Sequence, residues 1–208
     1  MYRPAAFAVD DVQALHAVMR ERAFATLARV RGNNVEFAYA PIVLDAAAGP
    51  NGTIRFHLAS NNPIVDGSDG AQFRISFLGP DAYISPDWYE TPGIVPTWNY
   101  IAVEGQGVAR KLNSDALRQF LADVSASQEA KLFPKKPWTI DKVPEQKMIM
   151  LMNAIVGFEF RLESLAGKFK LSQNLKPADF DGAVRGLEAR ADAVSRAVAA
   201  AMRRAIAP

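Results

Sequence analysis

The stretch FATLARVRGNNVEFAYAPIVLD, residues 24–45, decides the fold. FATLARV is rich in β-formers, and RGNN sets Gly32, Asn33 and Asn34, which tolerate positive φ, before a second β-rich run. This predicts a β-hairpin. Working outward, the turn AAAGPNG (46–52) leads into TIRFHLAS (53–60), where Ile54, Phe56 and Leu58 alternate with Arg55, His57 and Ala59. A period of two marks a strand with one polar face. AQFRISFLG (71–79) reads as a fourth strand. Residues 80–96, with several prolines and many aromatics, read as an ordered loop or edge. TWNYIAVEGQGVARKL (97–112) is a long strand expected to bend or bulge near Gly105 and Gly107, and IVGFEFRLESL (155–165) is the sixth.

Helices are expected at the flanks. Asp10 and Asp11 can cap one over 10–22. Another over 113–131 would bury Leu117, Phe120, Leu121 and Val124, and a short one covers 145–153. From 182 to 206, Val184, Leu187, Ala191, Val194, Val198 and Ala201 recur in steps of three and four, which predicts one C-terminal helix packed on the barrel or at a dimer interface. Strands joined by short turns with helices at the ends give a mainly β, α+β fold: an antiparallel six-stranded barrel in a single domain, 1–208.

Composition narrows the function classes. The chain has 208 residues, half of them hydrophobic, and a net charge of only +2, so bulk electrostatics give no argument for nucleic acid. The absence of cysteine excludes disulfides, thiolate metal sites and a cysteine nucleophile, and suits a reducing compartment. MYRPAAFAVDD lacks the features of a signal peptide, and no apolar run approaches the roughly 20 residues that cross a bilayer. A cytoplasmic protein without membrane partners is expected. Gly105 and Gly107 make only a GxG inside a strand, so a Rossmann site is not expected. Two histidines, His16 and His57, cannot build a histidine-rich metal centre, and no nucleophile-elbow sequence is present.

Four segments are unlike generic barrel sequence. HLASNNP (57–63) can present backbone N–H groups and the side chains of Ser60, Asn61 and Asn62 to an anion; the plainer reading is a strand exit capped by Asx turns. GPDAYISPDWY (79–89) and VPTWNY (95–100) concentrate tryptophan and tyrosine, which suits a stacking platform or an oligomer interface. In GKFKLSQN (167–174), Lys168 and Lys170 share a strand face, with Ser172 next in register and the amides of Gln173 and Asn174 beyond. Such a group can bind phosphate or carboxylate, or it can be a solvated edge that resists aggregation.

These strings, together with FATL (24–27), PW (137–138) and IVGFE (155–159), resemble in order and spacing the FMN-binding negative transcriptional regulators typified by PaiB. The resemblance spans nearly the whole chain and implies a split-barrel flavoprotein, a homodimer with FMN in clefts between the subunits. It implies that His57, Ser60, Asn61 and Asn62 lie near the phosphate and ribityl chain. Tyr83 and Ser85 would line the ring or ribityl region, and Trp98, Asn99 and Tyr100 the cleft wall. Lys168, Lys170, Gln173 and Asn174 would close the site. The chain departs from the family pattern at Tyr39, at Glu104, in ETPGI after SPDWY, and at Leu175, each change removing a cation or ring nitrogen.

The expected function is therefore an FMN-dependent regulatory or small-molecule redox role. No residue stands out as a catalytic acid or base, and enzymatic status stays open. Two readings compete. A DNA-associated regulator would use the five arginines between 182 and 208, but one long alanine-rich helix is not a helix-turn-helix. A haem-binding split barrel would rely on His57.

Overall fold

The computed structural model describes residues 1–205. In chain order it contains β1 (Ala8–Val9), α1 (Val12–Arg22), β2 (Phe24–Arg31), β3 (Asn34–Asp45), β4 (Thr53–Ala59), β5 (Gln72–Ile84) and β6 (Thr97–Lys111). There follow α2 (Ser114–Glu129), α3 (Glu145–Asn153), β7 (Ile155–Lys170), α4 (Pro177–Glu188) and α5 (Ala193–Ala205). The chain forms two compact units: one of residues 16–77 and 104–165, the other of residues 1–15, 78–103 and 166 onward. The long strands β5, β6 and β7 contribute residues to both.

In the first unit the expected hairpin forms the centre. β2 pairs β3 antiparallel in register from Phe24↔Pro41 to Arg31↔Asn34. That register leaves Gly32 and Asn33 as a two-residue turn, and Gly32 alone takes positive φ, +59°. Glycine at the first central position is the signature of a type II′ turn, whose twist matches the strands it joins. β3 then pairs β4, β4 pairs β7, and β2 pairs β5, all antiparallel. β6 neighbours both β5 and β7, so six strands close a ring. Closure depends on Gly107, where a Cβ would lie 2.0 Å from the Arg161 carbonyl oxygen. Phe56, Phe73, Phe158 and Phe160 fill the interior, Phe56 stacking on Phe158 at 5.4 Å. Each contributes roughly 1.5–3 kcal/mol by burial. Leu117 and Phe120 of α2 form a second cluster with Met148 and Met152 of α3.

Several expectations are corrected. The six-stranded barrel holds, and the sheet carries a seventh, two-residue strand outside the ring, β1 on β7, with Ala8 opposite Lys168. β6 runs unbroken from Thr97 to Lys111, and Gly105 and Gly107 each admit a close neighbour. β5 continues through Pro80 to Ile84, into the stretch expected to be an ordered loop or edge. The single C-terminal helix over 182–206 is two helices, and residue 206 lies outside the described residues. α4 stops at Glu188, and Asp192 restarts the chain as a cap, its Oδ1 accepting the Ser195 N–H at 2.8 Å. Ala191 and Val194, counted in the apolar seam, are exposed. Among the described residues no helix is long and apolar enough to cross a membrane.

Candidate functional site

The second unit gathers nine of the thirteen residues singled out from the sequence: Tyr83, Ser85, Trp98, Asn99, Tyr100, Lys168, Lys170, Gln173 and Asn174. The other four, His57, Ser60, Asn61 and Asn62, belong to the first unit.

Alternation along β6 and β7 sorts the second unit's side chains. Trp98 and Tyr100 share a face of β6; Trp98 is more than half exposed and meets Tyr83 edge-on at 6.2 Å. Lys168 is buried, its Nζ 5.3 Å from the centre of the Tyr100 ring and 5.4 Å from that of Tyr2. Two aromatic faces thus hold one ammonium. Two positions on, the Lys170 ammonium donates to Thr97 Oγ1 and to the Trp98 carbonyl, the latter at 2.7 Å. Burial, then the charge of Lys168, lower the Lys170 pKa below the ordinary lysine value. Both causes disfavour the cation, and a bound anion would relieve both.

Asn99 and Gln173 are taken up by the architecture. Asn99 is fully buried, its amide within 2.9 Å of Ser172 Oγ and 3.4 Å of Met202 Sδ. Ser172 itself adopts positive φ, +63°, and is buried. A non-glycine residue there carries strain that its surroundings must hold. Gln173 closes its own loop, accepting from Leu171 N–H and donating to the Phe169 carbonyl. Ser85 caps the short turn Pro86–Trp88, while Asn174 is exposed at the rim of a cavity.

In the first unit, His57 lies on β4 with its ring 5.6 Å from that of Phe120 and its Nδ1 buried without a hydrogen-bond partner. Burial lowers its pKa, which favours the neutral ring. Ser60 N–H donates to the Ala154 carbonyl and Asn62 N–H to the Ala59 carbonyl. The Asn62 side chain accepts from Ile64 N–H. HLASNNP is therefore a capped strand exit in which two of the backbone donors already have acceptors.

Two features escaped the sequence reading. Gly182 and Gly186, one turn apart on α4, make a notch for Trp88: a Cβ on Gly182 would lie 1.9 Å from the Trp88 carbonyl oxygen, and one on Gly186 2.2 Å from the indole. Asp179, in the first turn of α4, accepts from Thr91 N–H, Thr91 Oγ1 and Glu90 N–H at 2.7–2.8 Å. The Thr91 bonds, followed by Glu90 N–H and the Lys176 charge, hold its carboxyl below the usual range against the opposing effect of burial. The i, i+4 glycine pair was the available signal for the notch; Asp179 had none beyond its place near a helix start.

Residues 1–164 match the family described as "Putative FMN-binding domain", and the chain belongs to that family, the PaiB-type FMN-binding group its motifs resemble. Its cofactor class is a flavin. The "Protease synthase and sporulation protein PAI 2" of Bacillus subtilis is 28% identical over 189 residues, spanning 90% of this chain and 89% of that protein. Among solved structures, the FAD and haem binding protein of Mycobacterium smegmatis superposes with a TM-score of 0.58 at 12% identity, covering 78% of this chain and 73% of the other. The conserved hypothetical protein Rv2991 of Mycobacterium tuberculosis gives 0.58 at 13% identity, covering 85% and 94%. At these identities the likeness is one of fold, an antiparallel sheet with flanking helices of split-barrel type.

The residues of the second unit fit such a cofactor. Adjacent ammonium groups, one of them disfavoured as a cation, suit a phosphate, and the exposed rings of Tyr83 and Trp98 suit a planar ring.

Proposed function

We propose that the protein is a flavin-binding homodimer that carries out a small-molecule redox reaction, with a regulatory role as its setting and the cytoplasm as its location. The observation that carries this reading is the Lys168–Lys170 pair beside the Tyr83, Trp98 and Tyr100 rings. Bound flavin would supply the electron transfer. The chain would supply charge for the phosphate and an aromatic wall for the ring.

The homodimer is supported by a second observation. Thr26↔Tyr39, Ala28↔Phe37 and Val30↔Val35 set one face of the β2–β3 hairpin, which Phe24 extends. Phe24, Phe37 and Tyr39 are 59%, 60% and 65% exposed there. At roughly 150–250 Å² per aromatic side chain, the three offer on the order of 350 Å². That is near half of the roughly 800 Å² each partner buries in a stable interface.

The DNA reading loses one objection, because α4 and α5 are separate helices. Of the five arginines it would use, two are already paired, Arg203 with Glu188 and Arg190 with Asp192.

The flavin site is tested by the double substitution Lys168→Met, Lys170→Met. A charge-assisted contact contributes roughly 1.5–3 kcal/mol, and 1.4 kcal/mol is about tenfold. FMN affinity, read by flavin fluorescence quenching, should fall at least tenfold, while riboflavin, which lacks the phosphate, should bind as before. Equal FMN affinity in parent and variant, or a parent that binds no flavin, would overturn the reading.

A further inference from the structure

Lys168 and Lys170 face different surroundings. Lys168 sits between tyrosine rings, whereas Lys170 lies at the edge of a cavity of about 300 Å³ within the second unit. Phe7, Ile94, Val95 and Leu175 form the cavity's apolar walls. Lys170, Asn174, Tyr89, Thr97 and Ser172 complete its lining. The last two are already engaged, Thr97 Oγ1 by the Lys170 ammonium and Ser172 Oγ by Asn99.

An ammonium has three N–H donors. Two of those on Lys170 go to Thr97 Oγ1 and the Trp98 carbonyl, which leaves one. Asn174 is exposed at the rim and carries an amide. Burial and then the charge of Asp179 raise the Tyr89 pKa, so no phenolate charge opposes an anion there. The remaining Lys170 N–H and the Asn174 amide match the two oxygens of a single negative charge. They are too few for the dianion and four oxygens of a phosphate monoester. The volume stands at the small end of the range that ligand pockets occupy.

We propose that this cavity binds a small monocarboxylate with an apolar body, its carboxylate on Lys170 and Asn174 and its chain against Phe7, Ile94, Val95 and Leu175. The ligand is additional to the flavin. With a single donor left on Lys170, the flavin phosphate contacts Lys168 and feels the Lys170 charge through space. The protein then has places for a cofactor and for a small organic acid in the same unit.

Calorimetric titration of the full chain with hexanoate, hexanol and inorganic phosphate tests this, with FMN titrated in parallel. Hexanoate should bind one per chain, hexanol at least tenfold more weakly, and phosphate without saturation over the same range. Lys170→Met should weaken hexanoate at least tenfold and leave hexanol unchanged. Leu175→Trp should abolish hexanoate binding and leave FMN binding intact, and Lys168→Met should do the reverse. These two variants separate a failure of the cavity from a failure of the flavin site. Should Leu175→Trp not fold, Val95→Trp, at a position 72% exposed, should give the same loss. The proposal is overturned if the parent binds no hexanoate, if hexanol binds as well as hexanoate, or if hexanoate binding survives both Lys170→Met and filling of the cavity.

Discussion

Ser172 shows how much one residue can carry. Its φ of +63° lies where L-residues pay roughly 1–2 kcal/mol and glycine pays nothing. Its hydroxyl, within 2.9–3.0 Å of the Asn99 amide atoms, offsets that strain. Ser172→Ala keeps the strain and leaves a buried amide unsatisfied, a loss of about 1–3 kcal/mol. Ser172→Gly loses the same bond and relieves the strain. Urea unfolding should therefore rank glycine above alanine by about 1 kcal/mol, the reverse of the usual order. His57 gives a pH signature. Its folded pKa is lowered from 6.5 by burial, so below 6.5 the unfolded chain takes up the proton more readily than the folded one. This contribution to stability is present above pH 6.5 and is lost as pH falls towards and through the lowered folded value. Parent and His57→Gln should accordingly differ in the slope of stability against pH below 6.5 and run parallel above it; equal slopes would show that the ring is not held neutral.

At the level of elements, α4 acts as a clamp on the SPDWY segment. Asp179 takes three hydrogen bonds from Glu90 and Thr91, and the Gly182–Gly186 notch receives Trp88. Tyr89, which lines the cavity, lies between these two anchors in the sequence. Gly186→Ala opposes two effects. Alanine is the better helix former by roughly 0.8–1 kcal/mol, but its Cβ would meet the indole at 2.2 Å. Overpacking costs about 1–3 kcal/mol and displaces the ring, so the clash wins. The variant should melt lower than the parent, with Trp emission shifted to the red. Gly182→Ala should be worse, because the atom in its way belongs to the backbone of Trp88 and cannot rotate aside.

For the whole molecule, the exposed hairpin face bears on assembly. Phe37 and Tyr39 stand on β3 with Ala28 and Thr26 opposite, none of them charged. A monomer rarely leaves so apolar a sheet face in water. Light scattering at micromolar concentration should report twice the 22.7 kDa chain mass. Phe37→Lys combined with Tyr39→Lys should give a folded monomer. A monomeric parent, or a variant that stays dimeric, would rule this face out as the contact.

Much of the barrel was legible in the sequence because its signals are local. The Gly32–Asn33 turn, the period-two runs and the helix face around Phe120 depend only on neighbours along the chain. The second unit was legible in its parts but not in their division of labour. The same-face spacing of Lys168 and Lys170 could be read directly, and so could the aromatic strings. That Lys168 would be held by rings and Lys170 by two oxygens beside a cavity depends on which strands and turns meet, and no spacing encodes that. Likewise, Asn99 looked like a ligand contact until Ser172 and Met202 were brought against it from more than seventy residues away. The break between α4 and α5 lay in between: Asp192 is a cap that could be seen in DAVS, but the alanine-rich seam ran on through it. Turn chemistry and hydrophobic period act over a few residues, so sequence alone determined most of the elements and the flavin family. Desolvation and hydrogen-bond satisfaction depend on the atoms that surround a group in space, so only the tertiary structure decided which polar side chains were already engaged and which were left to meet a ligand.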